Sequence, residues 1–484
     1  MSEFSDTCRD FINKSNTNIY QIAKSTGLDR TTLNKMVQGK RLPSRAFVEK
    51  FAGALTINNA EREALMQLFK MEKSGKEIYF CRQEVENLIC NFQNLRLSFE
   101  NTTYRRRVLV ETSDRNADEK NEVLRLLTEV DILDAMQYMV ITACEEEPEP
   151  LIYMDSFPGE HCAMQQMIQE EKHQNRKITC CQFVNIYYRS GHQQGLQRNV
   201  KMLHTALSFA FAFRGNYEVR YFYKTMEEEN LCEIWPHYLI TKRHVLLLSQ
   251  DGTQGMLLEN QQISREYLLR MCEKRKKSRN LFVFAGSEED ILDHYEKYVV
   301  GKNLIVSFDS SLCIANLIYQ ADLSEEESLP LVQKYAALCR RAYENSVFDE
   351  EYIRISSFGG LEEFARTGRL PGVFGQFQEP LSTAKRAEVL RRYLRSMEQR
   401  RNEYLLKEEI SVPVCGLNFE LYEPSRVFIY SAEEGLPFGC AYIEEPGIYV
   451  VLKDYFDSLI EDEKVYSIEE SIRLFQDRVE KLLA

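Results

Sequence analysis

The sequence predicts a multidomain protein, an all-α head of five short helices followed by an α/β or α+β body. Three observations carry this. The chain has 484 residues, more than one ordinary domain holds. Apolar residues in the first seventy positions recur at helical spacing, whereas from residue 146 onward short apolar runs alternate with helical segments. Charge is divided unevenly. Residues 1–60 hold nine Lys/Arg against five Asp/Glu, a net +4, while the whole chain is at −13, so the rest carries −17. A basic head on an acidic body suits a chain that docks one end on phosphate and keeps the remainder off it.

The helices of the head follow from spacing. Phe4, Cys8, Phe11 and Ile12 form one stripe, Ile19, Ile22 and Ala23 a second, and Leu33, Met36 and Val37 a third. Phe47, Phe51, Ala54 and Leu55 follow after Pro43-Ser44, a cap-like pair. Ala64, Leu65 and Leu68 follow Asn58 and Glu61, which have capping-box spacing. Between the second and third stripes Gly27 sits where the chain must turn, and a left-handed backbone is cheap only for glycine. Ala23 lies one turn earlier, where two helices approach closely. Asp29 is placed to cap the third helix and Gly39 to end it.

The stretch from Ile19 to Met36, with Gln38-Gly-Lys-Arg-Leu-Pro after it, resembles the Xre/lambda-repressor-like helix-turn-helix family over about the first 70 residues. Ala23, Gly27, Leu28, Leu33, Gly39 and Pro43 carry the resemblance. It implies that the third helix enters the major groove of double-stranded DNA. Arg30, Thr31, Thr32, Asn34 and Lys35 would then face base edges, and Lys35, Lys40 and Arg41 suit phosphates. The family often has Gln at the first position of the second helix; here Ile19 stands there, so a bracing role would fall to Asn18 or Gln21. A five-helix bundle serving protein interaction is the competing reading.

The remainder divides, on sequence, into a mostly helical connector at 73–145, an α/β sensor domain at 146–300 and an α+β domain at 301–484. The connector's stripe Val85, Leu88, Ile89 and Phe92 suits either dimerisation or ordinary packing. The basic run Arg105-Arg106-Arg107 leads into a strand-like Val108-Leu109-Val110. A helix is expected over 121–143 and another over 382–406. Glu145 to Pro150 is the strongest boundary signal, and the strands expected beyond it include 151–154, 183–188, 217–223, 245–248 and 304–308. The stretch Tyr449-Val-Val-Leu-Lys with its following helix parallels His244-Val-Leu-Leu-Leu with its own, which suggests two related modules or a coincidence.

Composition bounds the function. With 44% hydrophobic and 28% charged residues the chain is that of a folded soluble protein. Its longest strongly apolar run, about 203–213, is shorter than the ~20 residues of a membrane helix, so a cytoplasmic location and no membrane partner are expected. Thirteen cysteines without any C-x-x-C read as reduced, buried thiols. His161, Cys162, His173, Cys180, Cys181 and His192 cluster in sequence, but their spacing fits no zinc pattern, so neither a metal nor a cofactor is expected. Hydrolase, phosphate-loop and dinucleotide motifs are absent.

These readings converge on a cytoplasmic, homodimeric, sequence-specific transcription regulator. Its head would read an operator and its body would sense a small-molecule or protein effector. An enzyme or defence-type effector that uses the helix-turn-helix for autoregulation or tethering is the alternative. A buried Asp/Glu/His/Cys cluster in a cleft of the body would favour that alternative, and a purely apolar or aromatic pocket would favour sensing.

Overall fold

The computed structural model describes residues 2–100, 122–157, 160–174, 177–187, 194–213, 216–225, 234–310, 317–318, 321, 323, 330–346, 352–359, 361–370, 378–407, 416–431 and 439–483. The basic run at 105–107 and the strand expected after it lie outside the described residues. The chain forms two compact units, Met1–Glu84 and Val85–Ala484.

The first unit is helical: α1 (Glu3–Lys14), α2 (Ile19–Thr26), α3 (Arg30–Val37), α4 (Arg45–Gly53) and α5 (Asn59–Ser74), with the start of α6 (Lys76–Glu100). Side chains cap these helices. Asn18 and Gln21 form a reciprocal capping box at α2, Asp29 accepts from Thr32 N at α3, and Asn58 with Glu61 repeats the box at α5. Gly27 ends α2 at φ +71 with nothing within 4 Å of where a Cβ would stand, so glycine is required there by conformation and not by space. Gly39 at φ +68 closes α3 with paired bonds, Gly39 N to Met36 O and Lys40 N to Lys35 O. Phe4, Cys8, Ile22, Leu33, Met36, Val48, Phe51, Leu65 and Phe69 are buried together as one core.

The second unit carries two mixed sheets. The first has the order β1-β7-β6-β5-β2-β3-β4-β8, from β1 (Glu122–Leu126), β2 (Leu151–Asp155), β3 (Thr179–Tyr187), β4 (Tyr217–Lys224), β5 (His237–Ile240), β6 (His244–Leu248), β7 (Gly255–Glu259) and β8 (Arg279–Asn280). Only β2, β3 and β4 run parallel to one another. They are joined by α8 (Glu160–Gln174) and α9 (Gln194–Phe213), while α7 (Glu129–Glu146) joins β1 to β2 and α10 (Gln261–Lys277) follows β7. Six of the nine residues of β3 are buried, five of them consecutive from Cys180 to Val184, as expected of a parallel strand with both faces covered along that stretch.

The second sheet has the order β12-β11-β10-β13-β14-β15-β9, from β9 (Phe282–Ala285), β10 (Leu304–Asp309), β11 (Ile353–Ser356), β12 (Glu403–Leu405), β13 (Leu417–Tyr422), β14 (Arg426–Ser431) and β15 (Gly439–Ile443). Its helices are α11 (Glu288–Tyr298), α12 (Pro330–Ser346), α13 (Leu361–Thr367), α14 (Thr383–Arg400), α15 (Pro446–Glu461) and α16 (Ile468–Leu483).

The two sheets share one topology. In each, an edge strand leads through a helix to the first of three parallel strands, a three-strand meander follows, and the last meander strand pairs antiparallel with that edge strand. A helix then returns the chain to the far edge. There Arg279 and Asn280 pair with β4, and Val465 bridges Leu406 just after β12. The repeat does not match the parallel read from sequence, because Tyr449 to Lys453 lie inside α15, not in a strand. By chain order the counterpart of His244–Leu248 is β14. Four apolar residues in a row do not distinguish a buried strand from a buried helix.

Other expectations shift for similar reasons. The first sheet begins at β1, upstream of residue 146, because Glu122–Leu126 pairs in register with β7; the helix expected over 121–143 is this strand followed by α7. The basic helix expected over 382–406 stops at Arg400, where Arg401 takes a left-handed backbone, and continues as β12. The stripe Val85, Leu88, Ile89 and Phe92 is fully buried within the chain, with the Phe92 ring 4.9 Å from that of Phe211. That face of α6 is therefore used internally and is closed to a second copy. Among the described residues, no helix is long and apolar enough to cross a membrane.

Candidate functional sites

In the head, the exposed surface of α3 and its neighbours is cationic and polar. Arg30, Thr31, Lys35, Lys40 and Arg41 are exposed, Thr32 and Asn34 are half-buried, and Leu33, Met36 and Val37 face the core. This split follows from helical spacing, since positions 31 and 35 lie opposite the stripe of 33, 36 and 37, with 30 and 34 at its margin. Asn18 and Gln21 are exposed too, but they are already engaged with each other. Asn18 Oδ1 accepts from Gln21 N at 3.0 Å, and Asn18 N donates to Gln21 Oε1 at 3.2 Å. Their bond lets them stabilise the start of α2 and leaves the Gln21 amide NH2 outside the box. Tyr20, which the sequence reading passed over, is 59% exposed, with the Arg30 guanidinium 5.8 Å above its ring. A large exposed aromatic at an i, i+1 position beside an apolar stripe was the available signal.

In the body, a cavity of about 1170 Å³ opens at the carboxyl ends of β2, β3 and β4. Open α/β sheets bind ligands at this end, where the helices that follow the strands leave a crevice. Asp155 is the last residue of β2. Its Oδ1 accepts from Tyr238 N at 3.1 Å, and its Oδ2 lies 3.2 Å from His237 Nδ1 at the start of β5. Burial raises the Asp155 pKa against the His237 hydrogen bond. Burial also opposes charge on His237, but the bond and charge of Asp155 prevail and its pKa is raised. Both shifts favour a proton held between the two groups.

Glu160 opens α8 beside this pair. It accepts from Gln182 Nε2 at 2.8 Å and Phe157 N at 3.2 Å, and burial pushes its pKa up to about 7 despite these bonds. Lys274 reaches in from α10. Its Nζ donates to Tyr238 OH at 2.7 Å and lies 4.7 Å from the Phe183 ring centroid and 5.6 Å from that of Phe222. The arrangement can hold an anion on the cations and relay a proton through His237 and Asp155. None of these residues was singled out from sequence, because they come from six separate elements with no shared motif.

Of the clustered cysteines and histidines, the described ones do not converge. Cys180 Sγ lies 4.0 Å from Met164 Sδ on α8, while its neighbour Cys181 packs with Met271 of α10 on the opposite face of the sheet. The His161 ring packs edge-on against Phe209 at 5.3 Å. The side chains of Cys162, His173 and His192 lie outside the described residues. Among the described residues no group of three His, Cys, Asp or Glu is placed to hold a metal ion.

No family model matches the chain. No curated protein matches its sequence. Among solved structures it is similar to TrmBL2, an archaeal chromatin protein described with a mode of DNA binding, at 10% identity and a TM-score of 0.22 over 54% of this chain and 87% of that one. It is also similar to the polyphosphate kinase of Porphyromonas gingivalis, at 12% identity and a TM-score of 0.20 over 75% of this chain and 56% of that one. At such TM-scores neither likeness carries an argument.

Proposed function

We propose that the protein is a DNA-binding transcription regulator of the Xre/lambda-repressor-like type, with a body that responds to a small ligand. The observation that carries this reading is α3. It is capped by Asp29, closed by Gly39, and offers Arg30, Thr31 and Lys35 outward over a core of Leu33, Met36 and Val37. That is the arrangement a recognition helix needs, with side chains able to fork onto guanine, to pair with adenine through Asn34, and to meet phosphates. One head covers little DNA surface, so the reading includes a homodimer on paired half-sites. The test is selection of bound duplexes from a random pool by the full chain, followed by titration against the selected and a scrambled duplex. A shared motif with tighter binding to the selected duplex supports the reading, and equal affinity for both overturns it.

A second reading is supported by the cavity. Asp155, His237 and Glu160 are clustered in a cleft, and such a set with shifted proton affinities is a common mark of catalysis. On this reading the body is an enzyme and the head tethers or autoregulates it. Turnover of a bound ligand by the purified chain, lost in a His237→Ala variant that still binds it, would favour this reading over sensing.

A further inference from the structure

We propose that the cavity at the carboxyl ends of β2, β3 and β4 binds one small organic phosphate per chain, and that the matching position in the second sheet is closed by the protein's own side chains. The inference deepens the sensing reading by naming the ligand class, but the site itself does not depend on what the head does.

The charge of the lining points to an anion. Among the described residues, six cations line the cavity: Arg198 and Lys201 from α9, Lys224 from the end of β4, and Arg270, Lys274 and Lys277 from α10. Three acids among the described residues stand beside them, Asp155, Glu160 and Glu273. The α10 residues are at i, i+4 and i+7, so a single helical face delivers all three to the same space. Arg198 and Lys201, at i and i+3 on α9, do the same from another element. A body with far more acids than bases has thus gathered like charges from three elements into one crevice. Four of them, Arg198, Lys201, Arg270 and Lys277, are exposed at its mouth, and such a group of like charges around a crevice concentrates anions from solution. A phosphate, with its multiple charge and several acceptor oxygens, answers both the excess charge and the donors.

The size and the remaining walls call for an organic body as well. About 1170 Å³ is far more than a bare phosphate fills, and the lining includes Val184, Met202, Leu269, Phe222 and Tyr187. Phe183, Phe222 and Tyr238 hold Lys274 in place. Arg198 lies 5.6 Å over the Tyr187 ring.

The repeated topology supplies the contrast. Asp309-Ser310 ends β10 as Asp155-Ser156 ends β2. In the second sheet, however, Asp309 accepts from Ser307 OH at 2.8 Å and Tyr430 OH at 3.3 Å. Ser310 donates through both N and Oγ to Asn418 Oδ1, and Ser310 O accepts from Ser357 Oγ at 2.5 Å. Asp309 and Ser310 are at most 2% exposed. Meander strands β13 and β14 thus fill with Asn418 and Tyr430 the place that remains open in the first sheet.

The experiment is calorimetric titration of the full chain with inorganic phosphate, a sugar phosphate and a nucleoside monophosphate, each organic probe beside its unphosphorylated parent. At least one organic phosphate should bind with one site per chain, more tightly than inorganic phosphate, and its parent should not. The double variant Lys224→Glu, Arg270→Glu changes two exposed or half-exposed charges, so it should melt like the wild type and lose affinity at least about tenfold. No binding by any phosphorylated probe at millimolar concentration, two sites per chain, equal binding of the neutral parent, or unchanged affinity in the double variant would each overturn the proposal. Operator affinity measured with and without the bound probe tests sensing separately. An unchanged affinity removes the sensing reading and leaves the site, whereas DNA binding without probe binding removes the site and leaves the head.

Discussion

Asp155 and Asp309 end the first parallel strand of two sheets with the same topology, and each is followed by serine, yet one carboxylate lines a cavity and the other is enclosed by hydroxyl donors. The difference lies in their partners across the sheet. Asp155 meets His237 and the Tyr238 backbone, while Asp309 meets Ser307 and Tyr430. Replacing Asp309 by Asn would set an NH2 group against two hydroxyls in a buried site. It should cost about 1–3 kcal/mol in stability. Asp155→Asn should cost less, since burial already opposes its charge, and should lower the pKa of His237 by removing the charge that raises it. Urea unfolding of both variants and histidine titration by NMR check this pair of outcomes.

Stability should depend on pH through Glu420. Burial raises its pKa to about 7 from an ordinary 4.5, against the hydrogen bond from Tyr422. Between those values the folded chain holds a proton that the unfolded chain has released. The associated stability is full below about 4.5 and is lost as the pH rises through 7. Glu420→Gln stays neutral throughout. Relative to wild type it should therefore gain stability between pH 5 and pH 8, by an amount on the order of 3 kcal/mol. Parallel unfolding curves at the two pH values would contradict this assignment.

Two glycines should respond differently to alanine. Gly27 has φ +71 and open space around it, so Gly27→Ala should cost only the left-handed backbone, roughly 1–2 kcal/mol. Gly368 has φ +74 and in addition would place a Cβ 2.3 Å from Leu381 O. Its alanine variant should lose clearly more, because a backbone atom cannot swing aside. Thermal unfolding of the two variants gives the comparison directly.

The head reading predicts separable effects along α3 and the turn that follows it. Arg30→Ala or Asn34→Ala should weaken the selected duplex by about 1–3 kcal/mol and relax preference at one base pair. Lys40→Ala or Arg41→Ala should weaken all duplexes alike and flatten the dependence on salt, because fewer counterions are released. Leu33, fully buried, should tolerate no charge, so Leu33→Asp should unfold the head. Titrations at two salt concentrations, with circular dichroism as the folding control, distinguish the three classes.

Paired recognition predicts a dimer on DNA. Two heads should sit about 34 Å apart on one face of a pseudo-palindrome. The buried stripe of α6 leaves that contact to another surface, so alanine at Phe92 should destabilise the chain and not merely dissociate it. Light scattering of the free and DNA-bound chain gives the stoichiometry, and a monomer in both states would rule the pairing out.

Sequence by itself determined the elements whose cause is local. The helix caps at Asp29, Ser44 and Asn58 and the left-handed turns at Gly27 and Gly39 depend on neighbours a few residues away, and spacing reveals them. So does the inward set Leu33, Met36 and Val37, and with it the exposed set that makes α3 a candidate reading surface. Tertiary structure alone decided the rest. Whether Tyr449 to Lys453 was strand or helix depended on what it packs against, and the repeat of the two sheets is carried by strand order, which leaves little mark on side chains. The cavity depends on distance in the chain. Asp155 and His237 are 82 positions apart and Lys274 is a further helix away, so they meet only when pairing of β2 with β5 and packing of α10 fold them together. A periodic pattern reports the face a residue shares with its neighbours, but not which distant residue will stand opposite.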